Sequence, residues 1–114
     1  MSDRRVVITG LGLLSPVGNN VSDSWKNILS GTSGAKKIDR FDVSKFETQF
    51  AATVDIELSD YLDKKEIRRT DPFIQYGLVA ADECLLDSSI DLNNVDKARS
   101  VSYTHLTLPT KQPV

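Results

Sequence analysis

Residues Arg5 to Asn19 read RVVITGLGLLSPVGN, and no other stretch limits the fold as tightly. The β-branched run Val6-Val7-Ile8 predicts a short buried strand. It leads into Thr9-Gly10-Leu11-Gly12 and then Ser15-Pro16-Val17-Gly18, residue types that let a backbone turn sharply or lie close to a neighbour. A glycine-rich turn after a strand serves more than one chemistry, so its spacing decides. A dinucleotide cradle needs GxGxxG, or TGxxxGxG, opening a helix whose N-terminus meets the pyrophosphate. After Gly10 and Gly12 the next glycine is Gly18, and Pro16 stands where that helix should begin. A nicotinamide-dependent dehydrogenase is therefore the weakest reading of the turn.

Charge and composition remove further classes. With 14 basic and 16 acidic residues, the formal net charge is −2, which makes no general footprint for nucleic acid or an anionic membrane. The chain has one cysteine, so no internal disulfide forms, and a reducing cytoplasmic setting is expected. No apolar run approaches the roughly 18 residues of a membrane span. Asp3, Arg4 and Arg5 run straight into the first strand, an arrangement that leaves no room for a signal peptide. Metal-ligand spacing is absent, and no metal is expected.

The rest of the chain alternates element types. Asn19-Asn20 offers an N-cap, with Asp23 placed for a capping box. Val21, Trp25, Ile28 and Leu29 then share one helical face, and Gly31 and Gly34 end the helix. Trp25 is expected to anchor that helix in the core. Residues 35–48 read as an irregular loop around Phe41 and Phe46. In QFAATVDI, Phe50, Ala52, Val54 and Ile56 alternate and predict a second strand. Asp60 to Arg69 is a charged helical segment. Thr70-Asp71-Pro72 starts another helix, with Asp71 as cap and Pro72 at the first turn. Its stripe of Phe73, Gly77, Ala80, Ala81, Cys84 and Leu85 suggests a face against which another backbone lies close. Asp87 to Asp96 is a polar connection.

RRVVITGLGLLSPVGN, the Trp-containing helix, SGTSG, and KKEIRRTDPFIQYGLVAADECLLDSS follow one another in an order that resembles the β-ketoacyl-acyl-carrier-protein synthases, bacterial type II condensing enzymes. The resemblance runs from about Arg4 to Arg99 and covers roughly the first quarter of such an enzyme. It implies an α/β chain, part of a thiolase-like fold: the first portion of an N-terminal αβαβα half. It also implies a homodimeric, cytoplasmic parent that elongates fatty acids. That parent condenses an acyl-enzyme with malonyl-acyl-carrier-protein by decarboxylative Claisen chemistry, using a nucleophilic Cys and two His. No diffusible cofactor is implied, because the phosphopantetheine arrives on the acyl carrier protein.

Those reacting groups have no counterparts here. Cys84 is the one thiol, late in its helix, and reads as a buried structural cysteine. His105 is the one histidine. No catalytic residue is assigned, and the chain alone is expected to be inactive. On a helix, Lys64, Lys65, Arg68 and Arg69 form one basic face. By resemblance, Lys65, Arg68 and Arg69 dock the acidic carrier; the plainer alternative is a solvated face neutralised by Asp63, Glu66 and Asp71. Thr9 ends the strand and Ser15 bonds locally in the turn. Two alternative functions stand beside the synthase: a polyketide-type ketosynthase or chain-length factor, and a non-catalytic carrier-binding module.

Composition shifts at residue 100. SVSYTHLTLPTKQPV has no acidic residue and two late prolines. Back-translated, Val101 to Thr110 resembles an in-frame transposase adapter of the kind used to prepare sequencing libraries. The expected division is thus 1–99 as synthase and 100–114 as a non-native, disordered tail. A sheet lacking its covering segments predicts marginal stability or aggregation.

Overall fold

The computed structural model describes residues 3–101. Its elements are α1 (Val21–Leu29), β1 (Ala35–Lys37), β2 (Phe50–Ala52), α2 (Lys64–Arg69) and α3 (Pro72–Ser88), with 3₁₀ turns at Leu58–Asp60 and Lys97–Arg99. The expected tail lies outside the described residues from position 102 onward.

Helix α1 forms where the sequence places it. The Asn20 side chain accepts a hydrogen bond from the Asp23 amide at 2.7 Å and donates to the Asp23 carboxylate at 3.0 Å. The second bond differs from a capping box, in which the acid would reach back to the cap's own amide. At the other end Gly31 takes φ +74°. The Gly31 amide donates to the Ile28 carbonyl at 3.1 Å and the Thr32 amide to that of Asn27 at 2.9 Å. This is a Schellman closure, and the left-handed position favours glycine.

The sheet departs from expectation. β1 and β2 pair antiparallel with Ala35 opposite Ala52, Lys36 opposite Ala51 and Lys37 opposite Phe50. Residues 35–48 are therefore not all irregular: they begin with a strand whose partner is the shortened QFAATVDI strand. Lys36 and Asp55 are ion-paired at 3.0 Å, and Arg40 donates to the Val54 carbonyl at 2.9 Å. Val6-Val7-Ile8 is not part of any sheet. Its residues are 91%, 83% and 66% exposed at Val6, Ile8 and Val7. A strand is defined by its neighbour's hydrogen bonds, and none of the described residues supplies them. Instead of the layered αβαβα half, the described residues form three helices and one small antiparallel sheet.

The helix expected over Asp60 to Arg69 is shorter: Asp60 closes the 3₁₀ turn Leu58–Asp60, and α2 begins only at Lys64. Asp71 occupies the N-cap of α3 and Pro72 its first turn, but the Asp71 side chain makes no cap bond. Helix α3 buries Gln75 and Val79, one turn apart. Phe73, Gly77, Ala81 and Leu85, expected on the packed stripe, are exposed. Among the described hydrophobic residues only Val43 and Val79 are fully buried. Trp25 is 59% exposed, so it is no core anchor.

Candidate functional site

Two features of the chain gather polar chemistry: the glycine segment lying on α3, and the basic face of α2. In the first, the extended backbone of Gly10 to Leu13 lies along the second half of α3. The amide of Leu11 donates to Asp87 Oδ2 at 3.0 Å and that of Leu13 to Glu83 Oε2 at 2.9 Å. Helix residues four apart rise about 6 Å, and strand residues two apart about 6.6 Å. The i,i+4 carboxylates therefore match alternate amides of the segment. Cys84 Sγ donates to the Gly10 carbonyl at 3.3 Å from the other flank. The glycines face the helix: a Cβ on Gly12 would sit 1.8 Å from the Ala80 carbonyl oxygen, and one on Gly10 2.4 Å from that of Cys84. The close backbone approach expected of the α3 stripe is real at Ala80 and Cys84. At Gly77 a Cβ would meet open space.

Glu83 also reaches α1, where its Oε1 accepts from the amide of Val21 at 2.9 Å. One carboxylate thus binds the glycine segment and the positive first turn of α1 to α3. The Ser15–Gly18 turn is closed by backbone bonds of 2.9 and 3.2 Å. Ser15 Oγ lies 3.0 Å from Oγ of the fully buried Ser24. Asn27 donates to the Val17 carbonyl at 2.6 Å. Ser15 therefore serves the turn, as its local bonding predicts.

This arrangement removes the nucleotide cradle on chemical grounds. The amides that would face a pyrophosphate donate to Asp87 and Glu83, and α1 starts well after Gly12. An open cleft of about 670 Å³ beside the segment has Asp82, Glu83 and Asp87 as its charged lining, which disfavours an anion. Sequence reasoning missed both Glu83 and Asp87. Their signal was the match of helix and strand rise, visible only once the segment's partner is known. Cys84, expected to be buried, is half-buried and unpaired with any base among the described residues.

The second feature is fixed at both ends. Asp63 Oδ1 accepts from the Glu66 amide at 2.8 Å and starts α2. Gln75 Nε2 donates to the carbonyls of Ile67 at 2.9 Å and Thr70 at 2.8 Å, tying the end of α2 to α3. Ile67 turns inward and is half-buried, whereas Lys64, Lys65, Arg68 and Arg69 are exposed. At 100° per residue these four cations span about 140° of the helix. Among the described residues the ion pair is Lys36–Asp55, so Asp63, Glu66 and Asp71 do not pair with the α2 cations. Arg68 and Arg69 lie in the last turn, where the helix dipole favours cations.

The sequence profile of the β-ketoacyl synthase N-terminal domain matches residues 3–107. The chain belongs to the β-ketoacyl synthase family. It is 48% identical over 100 residues to 3-oxoacyl-[acyl-carrier-protein] synthase 2 of Vibrio harveyi, covering 87% of this chain and 24% of that protein. The like-named protein of Coxiella burnetii is 49% identical over 100 residues with the same coverage. That of Staphylococcus aureus strain N315 is 44% identical over 93 residues, 81% of this chain and 22% of the relative. Among solved structures, the ishigamide ketosynthase/chain length factor is similar with a TM-score of 0.72 and 29% identity, covering 82% of this chain and 24% of that one. The chain therefore spans about a quarter of the length of its synthase relatives. Its fold is part of the thiolase-like ketosynthase fold, despite the missing sheet partner of Val6 to Ile8. No helix among the described residues is long and apolar enough to cross a membrane.

Proposed function

We propose that this chain is the N-terminal portion of a 3-oxoacyl-acyl-carrier-protein synthase of fatty acid elongation, contributing framework and carrier docking rather than reacting groups. The observation that carries this reading is the 48–49% identity to two proteins named 3-oxoacyl-[acyl-carrier-protein] synthase 2. In the complete enzyme a cysteine thiolate takes the acyl chain from the carrier's phosphopantetheine thioester. Malonyl-carrier then loses carbon dioxide, and its carbanion attacks the acyl-enzyme, with two histidines stabilising charge on the thioester oxygen. The product is 3-oxoacyl-carrier, and the thiolate is released. The parent works as a homodimer in the cytoplasm, with no diffusible cofactor.

A Cys-His-His site needs more than the one cysteine and one histidine of this chain. Cys84 serves the Gly10 carbonyl from the C-terminal half of α3, where the helix dipole does nothing to favour a thiolate. The α2 face remains. Lys65, Arg68 and Arg69 are exposed, free of ion pairs among the described residues, and carried on a helix clamped by Asp63 and Gln75. That geometry suits an acidic carrier surface better than the carboxylate-lined cleft does. In a full-length synthase carrying this segment, R68E/R69E should raise KM for the acyl carrier about tenfold, equivalent to ~1.4 kcal/mol, with kcat toward a free thioester unchanged. An unchanged carrier KM removes the docking assignment.

The polyketide-type alternative rests on the ishigamide ketosynthase/chain length factor, at 29% identity against 48% for the Vibrio harveyi synthase. The higher identity favours fatty acid elongation. A carrier-binding module without chemistry is the reading left if the isolated chain binds carrier and the gene encodes nothing beyond it.

A further inference from the structure

Helices α2 and α3 are joined by Thr70 and Asp71 alone. Both linking residues are extended, with φ −122° and ψ 151° at Thr70 and φ −79° and ψ 159° at Asp71. The extended region is broad, so these angles alone do not lock one helix against the other. The Asp71 side chain makes no cap bond that would fix them. The link is spanned instead by Gln75, in the first turn of α3, whose Nε2 donates to the carbonyls of Ile67 at 2.9 Å and Thr70 at 2.8 Å. Among the described residues, no other side-chain hydrogen bond joins α2 or its C-cap to α3. With six residues, α2 is too short to hold its own shape in water. We infer that Gln75 is a positioning residue for carrier docking, fixing the helix that carries Lys65, Arg68 and Arg69; this rests on the docking reading of that face.

Gln75 is only 5% exposed. A buried amide is costly unless it is hydrogen-bonded, and an apolar side chain would pack there without that cost. The amide is accounted for by the two acceptors it serves. Those acceptors also bear on the arginines. The last four carbonyls of a helix have no partner within it, and basic side chains of the last turn can fold back onto them. In α2 the Glu66 carbonyl is taken by the Thr70 amide at 3.1 Å and the Thr70 hydroxyl at 2.6 Å. Gln75 takes that of Ile67. Arg68 and Arg69 stand in this last turn, yet neither guanidinium is spent on these carbonyls. Their forked donors are kept for a carboxylate-bearing partner. The joint is local, since every atom in it belongs to residues 66–75.

The test uses a full-length synthase carrying this segment. Q75M keeps the length and bulk of the side chain and removes both donors. Relative to the KM of a free thioester, KM for the acyl carrier should rise about fivefold, the size of a hydrogen bond's net contribution. With R68E/R69E already in place, adding Q75M should change carrier KM less than about twofold, because residues that act through one another are not additive. A Q75M enzyme with wild-type carrier KM overturns the inference. So does a loss shared equally by the free thioester, which would make Gln75 a residue of the general fold, or an undiminished effect on top of R68E/R69E. Each of these leaves the docking reading standing when R68E/R69E alone raises carrier KM. An R68E/R69E enzyme with unchanged carrier KM removes that reading, and the inference with it.

Discussion

Glu83 receives two amides on two different oxygens, a demand that separates charge from shape. Glu83→Gln is isosteric, yet its amide nitrogen cannot accept, so either Leu13 or Val21 loses its partner. In a native-state hydrogen exchange experiment, E83Q should abolish protection at one of these amides and weaken it at the other. The neighbouring D82N, whose side chain has no such role, should leave both unchanged. The glycines divide in the same way. Gly12→Ala drives a methyl into the Ala80 carbonyl and should detach the segment, exposing Leu11 and Leu13 to exchange. Gly77→Ala meets no atom and removes a helix-interior glycine, so it should raise α3 stability by roughly 0.5–1 kcal/mol. Glu57 offers a pH test. The Ser59 hydroxyl at 2.6 Å, and then its amide at 3.3 Å, hold the Glu57 carboxyl below its usual pKa. A folded-state pKa below the unfolded one adds stability above the unfolded value, and this is lost as pH falls through the folded value. In S59A, the Glu57 carboxyl should titrate at higher pH by NMR.

Helix ends were the most legible elements because their determinants are local. Asn20, Gly31 and Pro72 each act within a few residues, and each stands where the sequence places it. Gly31→Ala should therefore cost α1 about 1 kcal/mol, read as lost helical circular dichroism on mild heating. Strands were less legible because their partners are remote. The VVI run has every local mark of a strand but no neighbour to complete it. Ala35–Lys37 has few such marks and pairs because Phe50–Ala52 lies alongside. Helix α3 misled for a related reason. It is apolar nearly all round, the signature of a helix covered on every side, so periodicity alone could not say which side packs first. Its Gln75 contact with the end of α2, which fixes the basic face, was invisible as a periodic signal.

The whole molecule combines clear family membership with little interior. Only Val43 and Val79 are fully buried among the described hydrophobic residues, while Trp25, Leu29, Phe73 and Leu86 remain largely exposed. Few buried apolar contacts mean little cooperativity, so the monomer should melt over a broad range with no sharp heat-absorption peak in calorimetry. Family membership, in contrast, was legible from motif order, because the opening turn and the IRRTDPFIQYG segment at the α2–α3 junction stand in the order of the synthase resemblance. The basic face was legible from spacing, and its lack of ion pairs among the described residues was not, since pairing depends on rotamers and on the α2–α3 angle. The proposal that this chain carries no reacting set rests on counting: one cysteine and one histidine. Radiolabelled carbon dioxide release from malonyl-acyl-carrier-protein by the purified 114-residue chain tests that conclusion most directly. The expected result is release no faster than the carrier alone, identical for wild type and Cys84→Ser; faster release by the wild type, lost in C84S, would contradict it.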